Sequence, residues 1–115
     1  MEALGTKNIS EINKRILNDI KENIQKSYPG IISKIVLFGS QINGNAEKYS
    51  DYDILIVLKY KYDWEMESEI IDLCYDIDLK YEIITDIKIV SLNELEQPRG
   101  KQRFIQDALH QGVFV

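Results

Sequence analysis

One segment of the sequence combines residue types that can hold both a phosphate and a metal ion. Gly39 and Ser40 directly follow an apolar run, and Asp51 and Asp53 stand where the next apolar run begins. A glycine lets the backbone approach a ligand closely, and the serine amide and hydroxyl can donate hydrogen bonds to a phosphate. Two carboxylates separated by one strand residue point to the same face, where they can converge on Mg²⁺. This combination is typical of phosphoryl or nucleotidyl transfer.

Each half of this pattern is ordinary when it is taken alone. A Gly-Ser pair often ends a strand in a simple turn, and an Asp-x-Asp pair is often two solvated carboxylates at the mouth of a strand. The catalytic interpretation therefore depends on both halves occurring together at a fixed spacing.

Apolar periodicity predicts the elements that must position these residues. Isoleucines at three- and four-residue steps predict a helix from an N-cap at Asn8 to about Ser27. The nearly continuous apolar runs at 31–38 and 51–58 predict two strands buried on both faces. A second helix is expected from a cap at Asp63 to about Asp78, and its apolar residues are Trp64, Ile70, Ile71, Cys74 and Tyr75.

The rest of the chain predicts a third strand at 81–90 and two short helices. A capping box at 91–94 begins a helix that Pro98 stops, and a last helix at 100–110 ends at Gly112 before a short edge strand. The order α-β-loop-β-α-β-α-α predicts an α/β structure in which helices pack on a sheet. We expect one domain over residues 1–115, with its core at about 10–90 and its C-terminal helices at 91–112.

Composition excludes several classes of protein. The 115 residues suit one domain, and 14 basic against 19 acidic residues give a net charge of −5. An acidic chain without a basic cluster is a poor non-specific binder of nucleic acid. The longest apolar runs are too short to span a bilayer, and the single cysteine, Cys74, excludes a disulfide framework. These features predict a protein of the cytoplasm.

The segment GSQINGNAEKYSDYDILIVL resembles the signature of the DNA polymerase β nucleotidyltransferase superfamily in its minimal form. That signature has Gly-Ser, a further Gly, and then Ser-Asp-x-Asp before an apolar strand. The matching residues here are Gly39, Ser40, Gly44, Ser50, Asp51 and Asp53. The resemblance implies a nucleotidyltransferase-like mixed sheet, and it covers about residues 10–90.

The resemblance also implies a reaction and its cofactor. A nucleoside monophosphate, AMP from ATP in our prediction, would pass to a hydroxyl with the help of two Mg²⁺ ions, for which Mn²⁺ is a substitute. Gly39, Ser40, Gly44 and Ser50 would bind the nucleotide, and Asp51 and Asp53 would bind metal. A third carboxylate on the next strand would complete the metal site. Glu82 is the best positional match, with Asp86 second and Asp78 third.

Three positions depart from the family pattern. Family members usually have Asp where this chain has Glu82, and they often have basic residues where it has Gln41 and Asn43. Two charges that would neutralise phosphate are therefore missing. Compensation could come from Lys48, Lys59 or Lys88.

The small size of the chain leaves hardly any room for an acceptor domain, so we expect a partner to supply the acceptor. The resemblance suggests a helical protein of the HEPN type, which the chain would silence as an antitoxin by adenylylating a tyrosine. The alternative function is a weak or inactive module that binds nucleotide or neutralises a helical partner by contact. The nucleobase, the acceptor and the choice between monomer and homodimer stay open at this point.

Overall fold

The computed structural model describes residues 10–39 and 51–114 of the chain. The helices are α1 (Glu11–Ser27), α2 (Trp64–Tyr81) and α3 (Arg103–Gln111). The strands are β1 (Ile32–Phe38), β2 (Tyr52–Leu58), β3 (Thr85–Ser91) and β4 (Val113–Phe114). Two short 3₁₀ helices, Asn93–Glu96 and Pro98–Lys101, lie between β3 and α3. No helix in these two ranges is long and apolar enough to cross a bilayer.

The strands form one mixed sheet in the order β3-β2-β1-β4. β2 is antiparallel to β1 and parallel to β3, and β4 adds antiparallel to the other edge of β1. A parallel neighbour needs a crossover connection, which α2 provides between β2 and β3. The predicted mixed sheet with helices packed on it is confirmed.

Both faces of the sheet are covered, because side chains of one strand alternate between them. On β2, Ile54, Ile56 and Leu58 enter a core with α1 and α2. Leu55 and Val57 enter a second core with α3 on the opposite face. The nearly continuous apolar run of β2 therefore serves two cores, as a strand buried on both faces requires.

Helix α1 begins later than the sequence pattern predicts. The predicted N-cap at Asn8, which lies outside the described residues, is wrong. The N-cap is Ser10, whose side chain accepts a hydrogen bond of 3.1 Å from the backbone amide of Asn13. The end at Ser27 agrees with the prediction. Both caps were chemically acceptable, so the local pattern alone did not separate them.

The boundary between α2 and β3 is the main correction to the predicted elements. The helix continues past Asp78 to Tyr81, and Glu82 caps it in the left-handed conformation at φ 54°. Lys80 and Tyr81 both donate hydrogen bonds to Asp19 of α1, at 2.8 and 2.5 Å. This tertiary contact holds a last helical turn where the sequence predicted the start of a strand.

The C-terminal elements largely follow the predicted order. The capping box is confirmed, because the Ser91 amide donates to Glu94 Oε1 at 3.1 Å and the Glu94 amide donates to Ser91 Oγ at 3.2 Å. Pro98 opens a second 3₁₀ helix directly after the first, and α3 begins three residues later than expected. Gly112 caps α3, and the short edge strand is present as β4.

Candidate active site

The sheet topology brings three segments that are distant in sequence to one end of the sheet. Because β1 and β2 are antiparallel, the end of β1 lies beside the start of β2, and Phe38 pairs with Asp53. Because β2 and β3 are parallel, their starts adjoin, and Asp53 pairs with Asp86. Neighbouring strands lie about 4.8 Å apart. Gly39, Asp53 and Asp86 therefore meet at this end.

Gly39 lets the chain pass directly against the Asp53 carboxylate. Its φ is +80°, a conformation that residues with a side chain rarely adopt. A Cβ atom at Gly39 would overlap Asp53 Oδ2 and would lie 3.2 Å from Asp53 Cγ. The sequence predicted a glycine for close approach to a ligand, and the structure adds a second reason, which is the close approach to Asp53.

The Asp53 side chain is partly buried among groups of its own charge. Burial raises the pKa of this carboxyl above its usual value, and the nearby carboxylates of Asp86 and Asp51 raise it further. The Lys88 ammonium group opposes this effect and lowers the pKa. The ionised form of Asp53 is therefore held at a cost in free energy, which a bound cation would reduce.

Lys88 is a basic residue that the fold brings to this end of the sheet. It stands two residues after Asp86, on the same face of β3, and its Nζ lies 3.4 Å from Asp86 Oδ1. Lys59 follows the far end of β2, and Lys48 lies outside the described residues. Of the two candidate lysines that the structure describes, Lys88 is therefore the one whose position fits the role of the missing basic residues.

The structure corrects the position predicted for Glu82. The residue is exposed at the C-terminal end of α2, outside β3, and has no register partner on β2. The carboxylate of Asp78 accepts a hydrogen bond of 2.7 Å from Thr85 Oγ1, and Thr85 faces away from Asp86 by strand alternation. The second-ranked candidate, Asp86, is the one that lies beside Asp53.

A signal for Asp86 was present in the sequence. Thr85, Ile87 and Ile89 alternate with Asp86 and Lys88, which is the period-two pattern of a strand with one apolar face. Glu82 fits the same pattern only if the strand begins at least three residues earlier than it does. The length of α2 determines that Asp86, and not Glu82, lies on β3. The contact of Lys80 and Tyr81 with Asp19 of α1 sets that length.

Of the remaining predicted residues, the structure describes Asp51 and not the others. Ser40, Gly44 and Ser50 lie outside the described residues, as do Gln41 and Asn43, so their assigned roles stay predictions. Asp51 is exposed immediately before β2.

The carboxylates suit a magnesium ion whose other ligands come from substrate and water. Within residues 10–39 and 51–114, no three acidic, histidine or cysteine side chains are grouped closely enough to hold a metal ion alone. Mg²⁺ is usually bound through one or two carboxylates together with phosphate oxygens and water. The repulsion felt by Asp53 and the hard oxygen donors of Asp51, Asp53 and Asp86 fit that mode of binding.

Most of the chain matches the sequence model of a known protein family. Residues 18–114 match the family described as "Polymerase beta, Nucleotidyltransferase". The match spans all four strands and most of α1, so it includes every described residue of the candidate site. The chain belongs to this nucleotidyltransferase family, and the resemblance drawn from the glycine and aspartate motif is confirmed.

Two archaeal proteins from Methanocaldococcus jannaschii are similar to this chain. The protein named "Putative protein adenylyltransferase MJ0604" is 32% identical over 99 residues, covering 86% of this chain and 93% of its own length. The protein named "Putative protein adenylyltransferase MJ0141" is 29% identical over 69 residues, covering 60% of this chain and 70% of its own. Nucleotidyl transfer is the reaction class that the family and these relatives support.

Proposed function

We propose that this chain is a metal-dependent nucleotidyltransferase that moves AMP from ATP to a hydroxyl group of a protein. The observation that carries the proposal is the register pair of Asp53 and Asp86 beside Gly39. Membership of the family supports nucleotidyl transfer. The names of the two archaeal relatives support AMP as the transferred group and a protein as the acceptor.

In the proposed reaction the acceptor hydroxyl oxygen forms a bond to the α-phosphorus of ATP. The bond from that phosphorus to the oxygen bridging the α- and β-phosphates breaks, and pyrophosphate leaves. The hydroxyl proton passes to a carboxylate, for which Asp86 is our candidate. The backbone at Gly39 and Ser40 would hold the departing phosphates, and Lys88 would offset part of their charge.

Asp51, Asp53 and Asp86 would hold Mg²⁺ together with phosphate oxygens of the substrate and water, with Mn²⁺ as a substitute. When bound, the metal stabilises the negative charge that develops on the phosphates. This ligand set replaces the predicted Glu82 by Asp86, because Asp86 is the carboxylate in register with Asp53.

Calorimetry of ATP binding tests the nucleotide site. We expect the wild type to bind ATP only with Mg²⁺ or Mn²⁺, and we expect Asp53→Ala to lose this binding. Glu22→Ala, which removes an exposed carboxylate from α1, is the matched control and should bind normally. If the wild type binds no nucleoside triphosphate at millimolar concentration, the stand-alone enzyme is excluded.

A pair of neutralising substitutions tests which carboxylate is the third. Asp86→Asn and Glu82→Gln each remove one negative charge while keeping the shape of the side chain. We expect Asp86→Asn to lower metal-dependent ATP affinity at least tenfold and Glu82→Gln to leave it unchanged. The reverse result would restore Glu82 as the metal ligand.

We further propose that the acceptor is a helical protein of the HEPN type, which the chain silences in the cytoplasm as an antitoxin. Such a partner incubated with this chain should take up label from ATP carrying ³²P at the α-phosphate. The same ATP labelled at the γ-phosphate should leave the partner unlabelled, because that phosphate departs in pyrophosphate. Labelling from the γ-phosphate without labelling from the α-phosphate would indicate phosphorylation and contradict the proposal.

The neutral residues Gln41 and Asn43 favour a second candidate function. With fewer charges to offset a triphosphate, the chain could act as an inactive module that neutralises a partner by contact. A contact module would still neutralise its partner after Asp53→Ala, whereas the transferase would lose that effect.

A further inference from the structure

Helix α2 exposes a continuous apolar stripe along its outer side. Trp64, Ile71, Tyr75 and Leu79 have exposed fractions of 75%, 41%, 58% and 62%. Their spacing of seven, four and four residues places them on one side of the helix, and Ser68 fills the turn between the first two. We call these four residues the outer stripe.

The apolar residues that the sequence places on α2 separate into two groups in the structure. Trp64, Ile71 and Tyr75 belong to one group, and Ile70 and Cys74 belong to the other. The structure buries Ile70 and Cys74 against the sheet and leaves the other three exposed. The helix therefore has two apolar sides, and the sheet covers one of them. Trp and Tyr are the residue types most enriched at the centres of protein interfaces.

The net charge of the chain is concentrated on helix α2, which carries this stripe. Of the 19 acidic and 14 basic residues, six acidic residues and one lysine lie in α2, which leaves thirteen of each sign elsewhere. Helix α2 therefore carries the whole net charge of −5. Helical spacing places Asp72 and Glu65 on one flank of the stripe and Glu67 on the other.

We propose that the outer stripe docks a basic amphipathic helix of a partner protein. An apolar centre with acidic flanks is complementary to an apolar strip flanked by Lys or Arg. From Trp64 to Leu79 the stripe is about 22 Å long, which suits another helix packed along it. A second copy is disfavoured, because two α2 helices would face each other with the same negative charge. The same charge repels an anionic lipid surface.

The docking surface is separate from the candidate active site. Helix α2 packs on the sheet face opposite to Asp53 and Asp86, and the outer stripe turns away from that sheet. The proposal therefore holds whether or not the chain transfers nucleotide. A partner held there would leave the carboxylates accessible, so docking and transfer can be measured independently.

Trp64 is the single tryptophan of the chain, so its fluorescence reports on the stripe directly. The probe is an 18-residue amphipathic helix of Leu and Lys, titrated into the full chain. Two control peptides have the same length: one replaces every Lys by Glu, and the other replaces every Leu by Gln. We expect a saturable blue shift of Trp64 emission with the Leu/Lys peptide and none with either control.

Two matched substitutions locate the binding. Ile71→Ser removes one apolar residue from the stripe and should weaken binding at least tenfold. Ile12→Ser removes an isoleucine of similar exposure, 47%, from α1 and should leave binding unchanged. Asp53→Ala should also bind the peptide normally.

Several outcomes would overturn the proposal. These are equal shifts with the Lys and Glu peptides, no shift with any peptide, or binding that Ile71→Ser does not weaken. A blue shift that grows with protein concentration without peptide, together with dimers in sedimentation, would assign the stripe to a second copy instead. Circular dichroism of each variant checks that it folds.

Discussion

The two faces of β2 differ in what lies against them. On one face Ile54, Ile56 and Leu58 are fully buried under α1 and α2. On the other face Leu55 and Val57 are buried with α3, but Asp53 at the start of the strand is only partly buried and stands beside Asp86. Strand β2 thus contributes apolar side chains to a core on one face and, on the other face, a carboxylate that Asp51 and Asp86 repel.

The two faces of β2 make opposite contributions to the stability of the fold. The apolar side chains on the face covered by α1 and α2 stabilise the fold, because they are buried away from water. A partly buried carboxylate beside like charges destabilises the folded state unless a cation neutralises it. The second face therefore carries an electrostatic cost that the first face lacks, and the following predictions test the contrast.

The largest effect on stability is expected on the helix-covered face. Ile56→Ala should lower the free energy of unfolding by about 2–5 kcal/mol, because it leaves a cavity in a fully buried position. Thermal or urea unfolding measures the change. Ile84→Ala makes the same substitution at an exposed position and should change stability by less than about 0.5 kcal/mol. Similar losses for both would contradict the assigned core.

A loss of stability of similar size is expected at the glycine that adjoins Asp53. Gly39→Ala should cost about 1–2 kcal/mol from its left-handed backbone and about 1–3 kcal/mol more from overlap with the carboxylate. Gly30→Ala is the control, because Gly30 has φ +75° but its Cβ would meet no atom within 4 Å. We expect both variants to lose stability and Gly39→Ala alone to lose ATP binding. Loss of ATP binding in both would show that backbone strain alone disturbs the site.

Removing the charge of Asp53 should stabilise the fold while it removes activity. The pKa of Asp53 is raised in the folded protein. At a pH above this folded pKa the ionised carboxylate therefore destabilises the fold, and this destabilisation disappears as the pH falls to the pKa of an ordinary aspartate. Asp53→Asn should therefore raise the free energy of unfolding at pH 7 by up to about 1 kcal/mol after solvent screening. Urea unfolding from pH 7 down to pH 4 should show the gain shrinking. A destabilised Asp53→Asn at pH 7 would contradict this electrostatic account.

The smallest effect is expected at Asp19, a carboxylate in the opposite situation. Hydrogen bonds from Lys80 and Tyr81 lower its pKa below the ordinary value. Ionised Asp19 therefore stabilises the fold at a pH above the ordinary pKa of aspartate. This stabilisation is lost as the pH falls through the lower pKa of Asp19 in the folded protein. Asp19→Asn should lower stability at pH 7 by roughly 0.2–1 kcal/mol, measured by urea unfolding. A stabilised variant would show that this contact does not hold the end of α2.

The sequence determined the fold class and most of the elements. The isoleucine spacing predicted α1 to its last residue, and the two apolar runs predicted β1 and β2 to within one residue. The Gly-Ser and Asp-x-Asp motif led to the family that the comparison then confirmed. These features are local, because helical and strand periods are written in neighbouring residues.

The tertiary structure decided between Asp86 and Glu82 as the carboxylate that lies beside Asp53. The hydrogen bonds from Lys80 and Tyr81 to Asp19 extend α2, move Glu82 to a helix cap and shift β3 by four residues. Those contacts join residues more than sixty positions apart, so no local pattern contains them. The exposure of the outer stripe was decided in the same way, because only packing determines which of two apolar sides of a helix meets the sheet.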